Sequence, residues 1–354
     1  MRVEFACVML SLAVAGCAGG TAPRPREITV VATPVGLDTS IPDRRQLGAL
    51  RFRGGLVLTS PDPRFGGLSA LRWREGWLHA LSDQDGSWYA LRPREVDGEL
   101  VGIDAVRATA LGDAHGKRLT GKRDSDAEAI DFVAVHCARP PCAADAVRVA
   151  FERRDRVLVY RLRHGLPVGR PRRMRGIDGW LSRQPDNLGV EAMAGDADET
   201  LLVSEGLVTA EGKASALLVR PALTGRGRVD RPPVPIEFGV PSDGEARPSD
   251  LAALGGGRYV MLRRSWTAAA GFAVTVDLLC LDEHGPVPVA TTRALARFAP
   301  PVTTDNYEGA AIRQDGEHTV LYLMSDDNFE AGQRTLLLKF ELAGLDQVCP
   351  TALP

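Results

Sequence analysis

Glu128-Ala129-Ile130 and Glu191-Ala192-Met193 are two occurrences of one short pattern, a small or acidic residue that opens an apolar strand. The pattern returns as Gly67-Leu68-Ser69-Ala70-Leu71, Asp250-Leu251-Ala252 and Glu308-Gly309-Ala310. Aligned on Ser69, Glu128, Glu191, Asp250 and Glu308, the copies lie 59, 63, 59 and 58 residues apart. Self-similarity at a near-constant period marks a repeat architecture. One acidic group per repeat is therefore expected at one structural position, with Ser69 as the departure.

Outward from this pattern, each repeat continues with a turn, a second strand such as residues 77–81, another turn and a third strand such as residues 87–91. A more variable fourth strand follows, as at residues 234–239 or 287–292. Short strands separated by Gly, Pro, Asp and Asn, with no sustained helical period, predict an all-β chain. Four strands per repeat of about 60 residues read as a β-propeller with long loops. The last repeat has three strands, at residues 308–312, 319–324 and 335–342, before the chain ends in a short tail. Residues 50–60 precede the first complete repeat and would supply the missing outer strand, closing the ring by pairing N- and C-terminal segments. This predicts five blades, or six if a strand at residues 28–35 belongs to a further irregular blade.

The first residues read as an export signal: Arg2, an apolar stretch over residues 5–15, then small residues before Cys17. Val14-Ala15-Gly16-Cys17 looks like a lipoprotein cleavage box, in which residues 1–16 are removed and Cys17 carries the lipid. An ordinary secretory signal that contains a cysteine is the alternative. Acyl chains hold a protein at a membrane surface at about 0.8 kcal/mol per buried methylene. Residues 17–27 would then tether a single domain, residues 28–354, in the periplasm at the outer membrane. In an oxidising compartment Cys137, Cys142, Cys280 and Cys349 are expected to form disulfides, with three pairings open. A net charge of -2 offers no large field of one sign, so nucleic acid is not an expected partner. Nothing in the sequence implies an obligate protein partner.

In a propeller the first strand of each blade lines the axis, and the second runs antiparallel to it. The start of the first strand and the end of the second thus share a face. The second strands end in Ser82-Asp83, Phe151-Glu152, Ser204-Glu205, Arg263-Arg264 and Ser325-Asp326-Asp327, a second polar set beside the first. Two like charges about 5 Å apart repel by roughly 3 kcal/mol at an effective dielectric near 20. Several carboxylates at one mouth need protonation, arginine partners or a cation. Calcium suits them, because it accepts six to eight oxygens in loose geometry. Glu128, Glu191, Asp250, Glu308, Asp326 and Asp83 are the expected ligands, and Asn187, Asn306 and Asn328 supply further oxygens nearby and are expected, with Arg263 and Arg264, to bind substrate. Each of these residues taken singly also suits an ordinary turn. Asp83-Gln84-Asp85-Gly86 resembles a fragment of a calcium loop but lacks its terminal Glu, and reads better as a hairpin turn. Ser69 lacks the second glycine of a nucleophile elbow. The six histidines are scattered, without the spacing of a zinc peptidase.

Phe65-Gly66-Gly67-Leu68-Ser69, Asp126-Ala127-Glu128-Ala129, Asn187-Leu188-Gly189-Val190-Glu191-Ala192, Tyr307-Glu308-Gly309-Ala310 and Ser325-Asp326-Asp327-Asn328-Phe329 together resemble the family described as having esterase-like activity of phytase. The resemblance covers most of the mature chain and implies a propeller and a calcium-assisted hydrolase of phosphate or other esters. On that basis a cation would hold an anionic or ester substrate and activate water. Arg263 and Arg264, in the blade whose second strand ends without an acid, would pair with a phosphate or balance neighbouring acids. Arg263, Glu152 and Glu205 are the candidate catalytic residues, either glutamate serving as general base. Two other readings fit the same residues: a propeller lactonase with one axial divalent ion, and a surface binding protein whose calcium is structural.

Overall fold

Five four-stranded antiparallel blades stand around one axis in the computed structural model, which describes residues 25–134, 144–196, 199–222, 231–242, 244–345 and 349. From the axis outward, blade 1 consists of Leu68–Arg74, Trp77–Ser82, Ser87–Val96 and Glu99–Ala110, with Arg26–Glu27 added at its edge. Blade 2 is Ala127–Ala134, Ala144–Phe151, Arg156–Arg163 and Leu166–Arg173. Blade 3 is Val190–Asp196, Glu199–Val208, Ala214–Ala222 and Arg231–Val240. Blade 4 is Arg247–Ala253, Arg258–Thr267, Gly271–Asp282 and Val289–Phe298. Blade 5 takes Asn306–Asp315, His318–Asp326 and Thr335–Leu342 from the C-terminal end and Leu50–Thr59 from the N-terminal end. That pairing is antiparallel, with Leu342 opposite Leu50 and Leu336 opposite Val57. The strand expected at residues 28–35 forms no sixth blade, because Val31–Pro34 adds to the outer edge of blade 5.

The apolar residues of alternate strand positions fill five separate wedges, one between each pair of neighbouring blades. Trp88 and Tyr160 lie between blades 1 and 2, and Tyr89 and Tyr322 between blades 1 and 5. Strands buried on both faces are what this arrangement demands, and the runs Leu78–Leu81 and Leu321–Met324 supply them. The axis itself is polar. Arg72 reaches across it to pair both guanidinium nitrogens with Asp250 of blade 4, each at 2.8 Å. The same guanidinium donates to the carbonyls of Ala310, at 2.9 Å, and Met193.

Two further devices close the ring. Cys280 and Cys349 form a disulfide that fastens the C-terminal tail to the third strand of blade 4. Glu95 of blade 1 clasps blade 5: Arg313 donates to both its oxygens at 2.9 and 3.0 Å, Lys339 at 2.7 Å, and Tyr322 donates as well. Arg313 also lies over the Trp73 ring, which stacks on Tyr322. Cys17, Cys137, Cys142 and the leader lie outside the described residues. Among the described residues, no helix is long and apolar enough to cross a membrane.

Burial alone would raise the Glu95 carboxyl, but the donors from Arg313, Lys339 and Tyr322 bring it down to about 2. A depressed carboxyl stabilises the fold above its unfolded pKa, near 4.5, and that contribution is lost as pH falls toward 2. Allowing for solvent screening of a half-buried group, it amounts to about 2 kcal/mol. The stability gap between the wild type and Glu95→Gln should therefore be widest above pH 5 and shrink toward pH 2, read by denaturant unfolding at each pH. A gap constant with pH would refute the clasp.

Candidate functional site

The repeating acid sits at a repeating irregularity. In every inner strand the register to its partner slips by one residue at the same place. Leu68 faces Ser82 and Ala70 faces Leu81, leaving Ser69 as the extra residue. The same slip isolates Glu128 between Ala127 and Ala129, Glu191 between Val190 and Ala192, and Glu308 between Tyr307 and Gly309. In blade 4 it falls between Pro248 and Asp250, so the extra residue is Ser249. A bulge of this kind re-aims one side chain. Here it delivers Glu128, Glu191 and Glu308 to a common mouth.

Asp250 is thus one residue beyond the position expected for it, and it turns down the axis to Arg72. The serines at the bulges of blades 1 and 4 have a different task. Ser69 donates to the carbonyl of Ala127, and Ser249 donates to that of Tyr307 at 3.1 Å. Each holds the carbonyl that immediately precedes the acid of the next blade.

The ends of the second strands complete the mouth. The N–H groups of Asp83, Glu152 and Glu205 donate to the carbonyls of Gly67, Asp126 and Gly189 at 2.8 to 2.9 Å, two residues before each bulge. The corresponding pairs in blades 4 and 5 are Arg264 opposite Arg247 and Asp326 opposite Asn306. Blade by blade the rim therefore reads Gly67, Ser69, Asp83; Asp126, Glu128, Glu152; Gly189, Glu191, Glu205; Arg247, Ser249, Arg264; Asn306, Glu308, Asp326. Acids crowd blades 2 and 3, and blade 4 presents bases.

Arg264 and Arg263 part company because successive strand residues face opposite sides. Arg264 donates to Asn306 and Glu308 and lies 3.9 Å from Glu205. Arg263 was expected at the mouth as well, but its Nε is held by Asp277 within blade 4 at 2.6 Å. Asn187 sits exposed in a left-handed turn, φ 58°, before the inner strand of blade 3. The Asn328 amide donates to Gln333, so this asparagine braces the loop after Asp326. Asp83-Gln84-Asp85-Gly86 is the hairpin turn expected of it, with the Ser87 N–H on Asp85 and Gly86 at φ 64°.

Two trios of carboxylates, each with oxygens within 4.8 Å of one another, share Glu128. The first is Glu128, Glu152 and Glu191; the second is Asp83, Asp126 and Glu128. Either could hold a metal ion. Burial, then Glu191, Asp126 and Asp83, push the Glu128 carboxyl well above its ordinary range. Burial, then Glu205, Glu308 and Glu152, do the same to Glu191, against the pull of Arg264. Burial lifts Glu152 to about 7 despite the Gly189 N–H, and Asp83 to about 6 despite Lys122. Asp326 is driven up by burial and by Glu308. Among the described residues no ammonium or guanidinium lies within ion-pair distance of Glu128, Glu152 or Glu191, and Glu128 and Glu191 are each only 6 % exposed. Lys122, Ser249 and Arg247 escaped the sequence reading, and Asp126 entered it only within a motif, with no role assigned. Its place at the mouth could have been found by aligning the residue two places before each bulge.

The geometry decides which cavity matters. A cleft of about 640 Å³ lies beside the mouth, lined by Arg118, Asp124, Arg154, Arg156 and Arg173 among others. Its arginines are already engaged: Arg154 with Asp124 at 2.6 Å, Arg173 with Asp178 at 2.9 Å, and Arg118 with Asp85. Glu128, Glu152 and Glu191 have no such partners among the described residues.

Residues 63–329 match the Phytase-like family model, described as esterase-like activity of phytase. The chain belongs to this family. No curated protein matches it. Among solved structures, the Malassezia sympodialis allergen Mala s 1 is 11% identical, with TM-score 0.41, over 94% of this chain and 99% of that one. Myxococcus xanthus glutaminyl cyclase is 9% identical, with TM-score 0.39, over 82% and 97%. Likenesses this distant carry no argument about chemistry. Within the Phytase-like chain, the contrast between paired and unpaired acids is directly testable. Asp250→Asn leaves Arg72 buried without its partner and should cost about 3–5 kcal/mol. Glu191→Gln relieves repulsion and should leave the melting temperature in chelator unchanged or higher. Equal losses in both variants would show that the axial acids are all structural.

Proposed function

We propose that this Phytase-like chain hydrolyses phosphate or other esters of small anionic molecules, with a calcium ion held by Glu128, Glu152 and Glu191. The observation that carries this reading is the buried first trio, three carboxylates with no ammonium or guanidinium within ion-pair distance among the described residues, with Arg264 of blade 4 acting on Glu191 from across the mouth. Carboxylate oxygens are hard donors, and a loose cluster of them suits calcium better than the strict octahedron of magnesium. When bound, calcium would neutralise substrate charge and lower the pKa of a coordinated water.

The remaining groups act around that ion. Arg264, already oriented by Glu308 and Asn306, presents a guanidinium to a phosphate or carboxylate. Burial works against its charge, but Glu308, Glu191 and Glu205 raise its pKa overall, so it stays cationic. With Glu152 committed to the ion, Glu205 is the carboxylate left to accept a proton from attacking water. Its pKa is raised by burial against the pull of Arg264 and Arg247, which moves it toward the range of a general base. Export and a lipid anchor on Cys17 belong to the same proposal. The Cys280–Cys349 disulfide supports them, since such bonds persist in oxidising compartments.

A panel of phenyl phosphate, phytate, aryl esters and sugar lactones, each with calcium and with chelator, tests the reading. Turnover of a phosphate or carboxylic ester should disappear with chelator and return with calcium. Glu191→Gln should weaken calcium at least as much as a supporting residue does in other sites, about tenfold or more. Absence of turnover together with a chelator-induced fall in melting temperature would make the ion structural and the chain a binding protein.

A further inference from the structure

The two trios are built from the same kind of residue but are neutralised differently, and the difference lies in one side chain. Lys122 is carried on a four-residue helix, Lys122–Ser125, that leads into the inner strand of blade 2. Its Nζ sits 2.6 Å from Asp126 Oδ1 and also contacts Asp83 Oδ2. The other oxygen of Asp126 accepts from Arg153 Nε at 2.5 Å. Asp83 is 6 % exposed, and its Oδ1 is buried with no hydrogen-bond partner among the described residues. The second trio thus already contains an ammonium between two of its carboxylates, whereas the first has no side-chain cation within ion-pair distance among the described residues.

We infer that Lys122 is the resident cation of the Asp83, Asp126 and Glu128 trio, so that the mouth takes one external divalent ion and not two. This rests on the calcium reading of the first trio and concerns its neighbour. An ammonium is a compact point charge with three donors, suited to bridging carboxylates on two blades. Glu128 lies in both trios, so it would face the chain's own cation on one side and the external ion on the other. A divalent ion entering the second trio would have to displace Lys122, and the partly exposed side chain has solvent to move into. Removing the ammonium should therefore open a second site from residues already in place.

Isothermal titration of the purified chain with calcium chloride counts the ions, taking as mouth ions those abolished by Glu128→Gln, which disables both trios. The wild type should bind one and Lys122→Met two, with Lys122→Arg restoring one. Adding Asp83→Asn to Lys122→Met should return the count to one. Two mouth ions in the wild type would overturn the inference whether or not any variant folds. So would a single ion in folded Lys122→Met or in the second variant Lys122→Gln, with folding followed by near-ultraviolet circular dichroism. If the wild type binds none and Lys122→Met binds one, the calcium reading of the first trio fails while the role of Lys122 stands. Binding by neither ends both.

Discussion

The ion pair between Arg72 and Asp250 is the interaction on which the axial architecture depends. Five inner strands converge on the axis, where a single guanidinium from blade 1 answers a carboxylate of blade 4 and carbonyls of blades 3 and 5. A buried charge is tolerable when it is paired and fully hydrogen-bonded. Asp250 meets that condition, since it also accepts from the N–H groups of Ala310 and Leu251 at 2.7 Å. The approach of blade 5 to blade 1 needs Gly309, because a Cβ there would stand 2.7 Å from that of Leu71. The axis is thereby given a paired, polar floor.

The mouth above this floor breaks the rule that the floor obeys. Glu128, Glu152 and Glu191 are buried together with no ammonium or guanidinium within ion-pair distance among the described residues, and burial with the neighbouring acids raises the cost of keeping them ionised. Natural chains keep such arrangements where function requires them, and perturbed carboxylates gathered in a cleft mark candidate sites for that reason. The imbalance is directional. Blade 4 replaces the bulge acid by Ser249 and the terminal acid by Arg264, so a negatively charged ligand has one side of the mouth to which it is drawn. The carboxylates opposite would repel it until a cation covers them.

Much of this was legible in the sequence, and the part that was not has definite causes. The period, the acid at Glu128, Glu191 and Glu308, the five blades and the closing strand at residues 50–60 all follow from spacing and strand alternation. The bulge leaves no mark in spacing, so Asp250, one residue past the true position, passed for the fourth member of the acidic set. Its neighbour Ser249 was overlooked because a serine in an acidic column looks like an absence. Arg263 and Arg264 could not be separated without knowing which face of the strand meets blade 5. Lys122 belongs to no repeat at all. It arrives from the connection between blades 1 and 2, and only the folded chain shows that it lands among three acids.

Where the ring is held closed bears on how much imbalance its mouth can tolerate. Arg313 lies toward the end of the inner strand whose start carries Glu308, so the Glu95 clasp joins blades 1 and 5 at the opposite face from the acids. The composite fifth blade and the Cys280–Cys349 link act at the periphery. None of these devices uses a residue of the mouth. Closure thus needs no cation at the mouth, and the repulsion among the acids is offset elsewhere in the molecule. A cation that enters the first trio binds the folded ring and not the unfolded chain, so it adds its binding free energy to a structure that already stands without it. A ring closed in this way would keep its fold on losing such a cation, the behaviour expected if the proposed site serves a ligand and not the assembly of the blades.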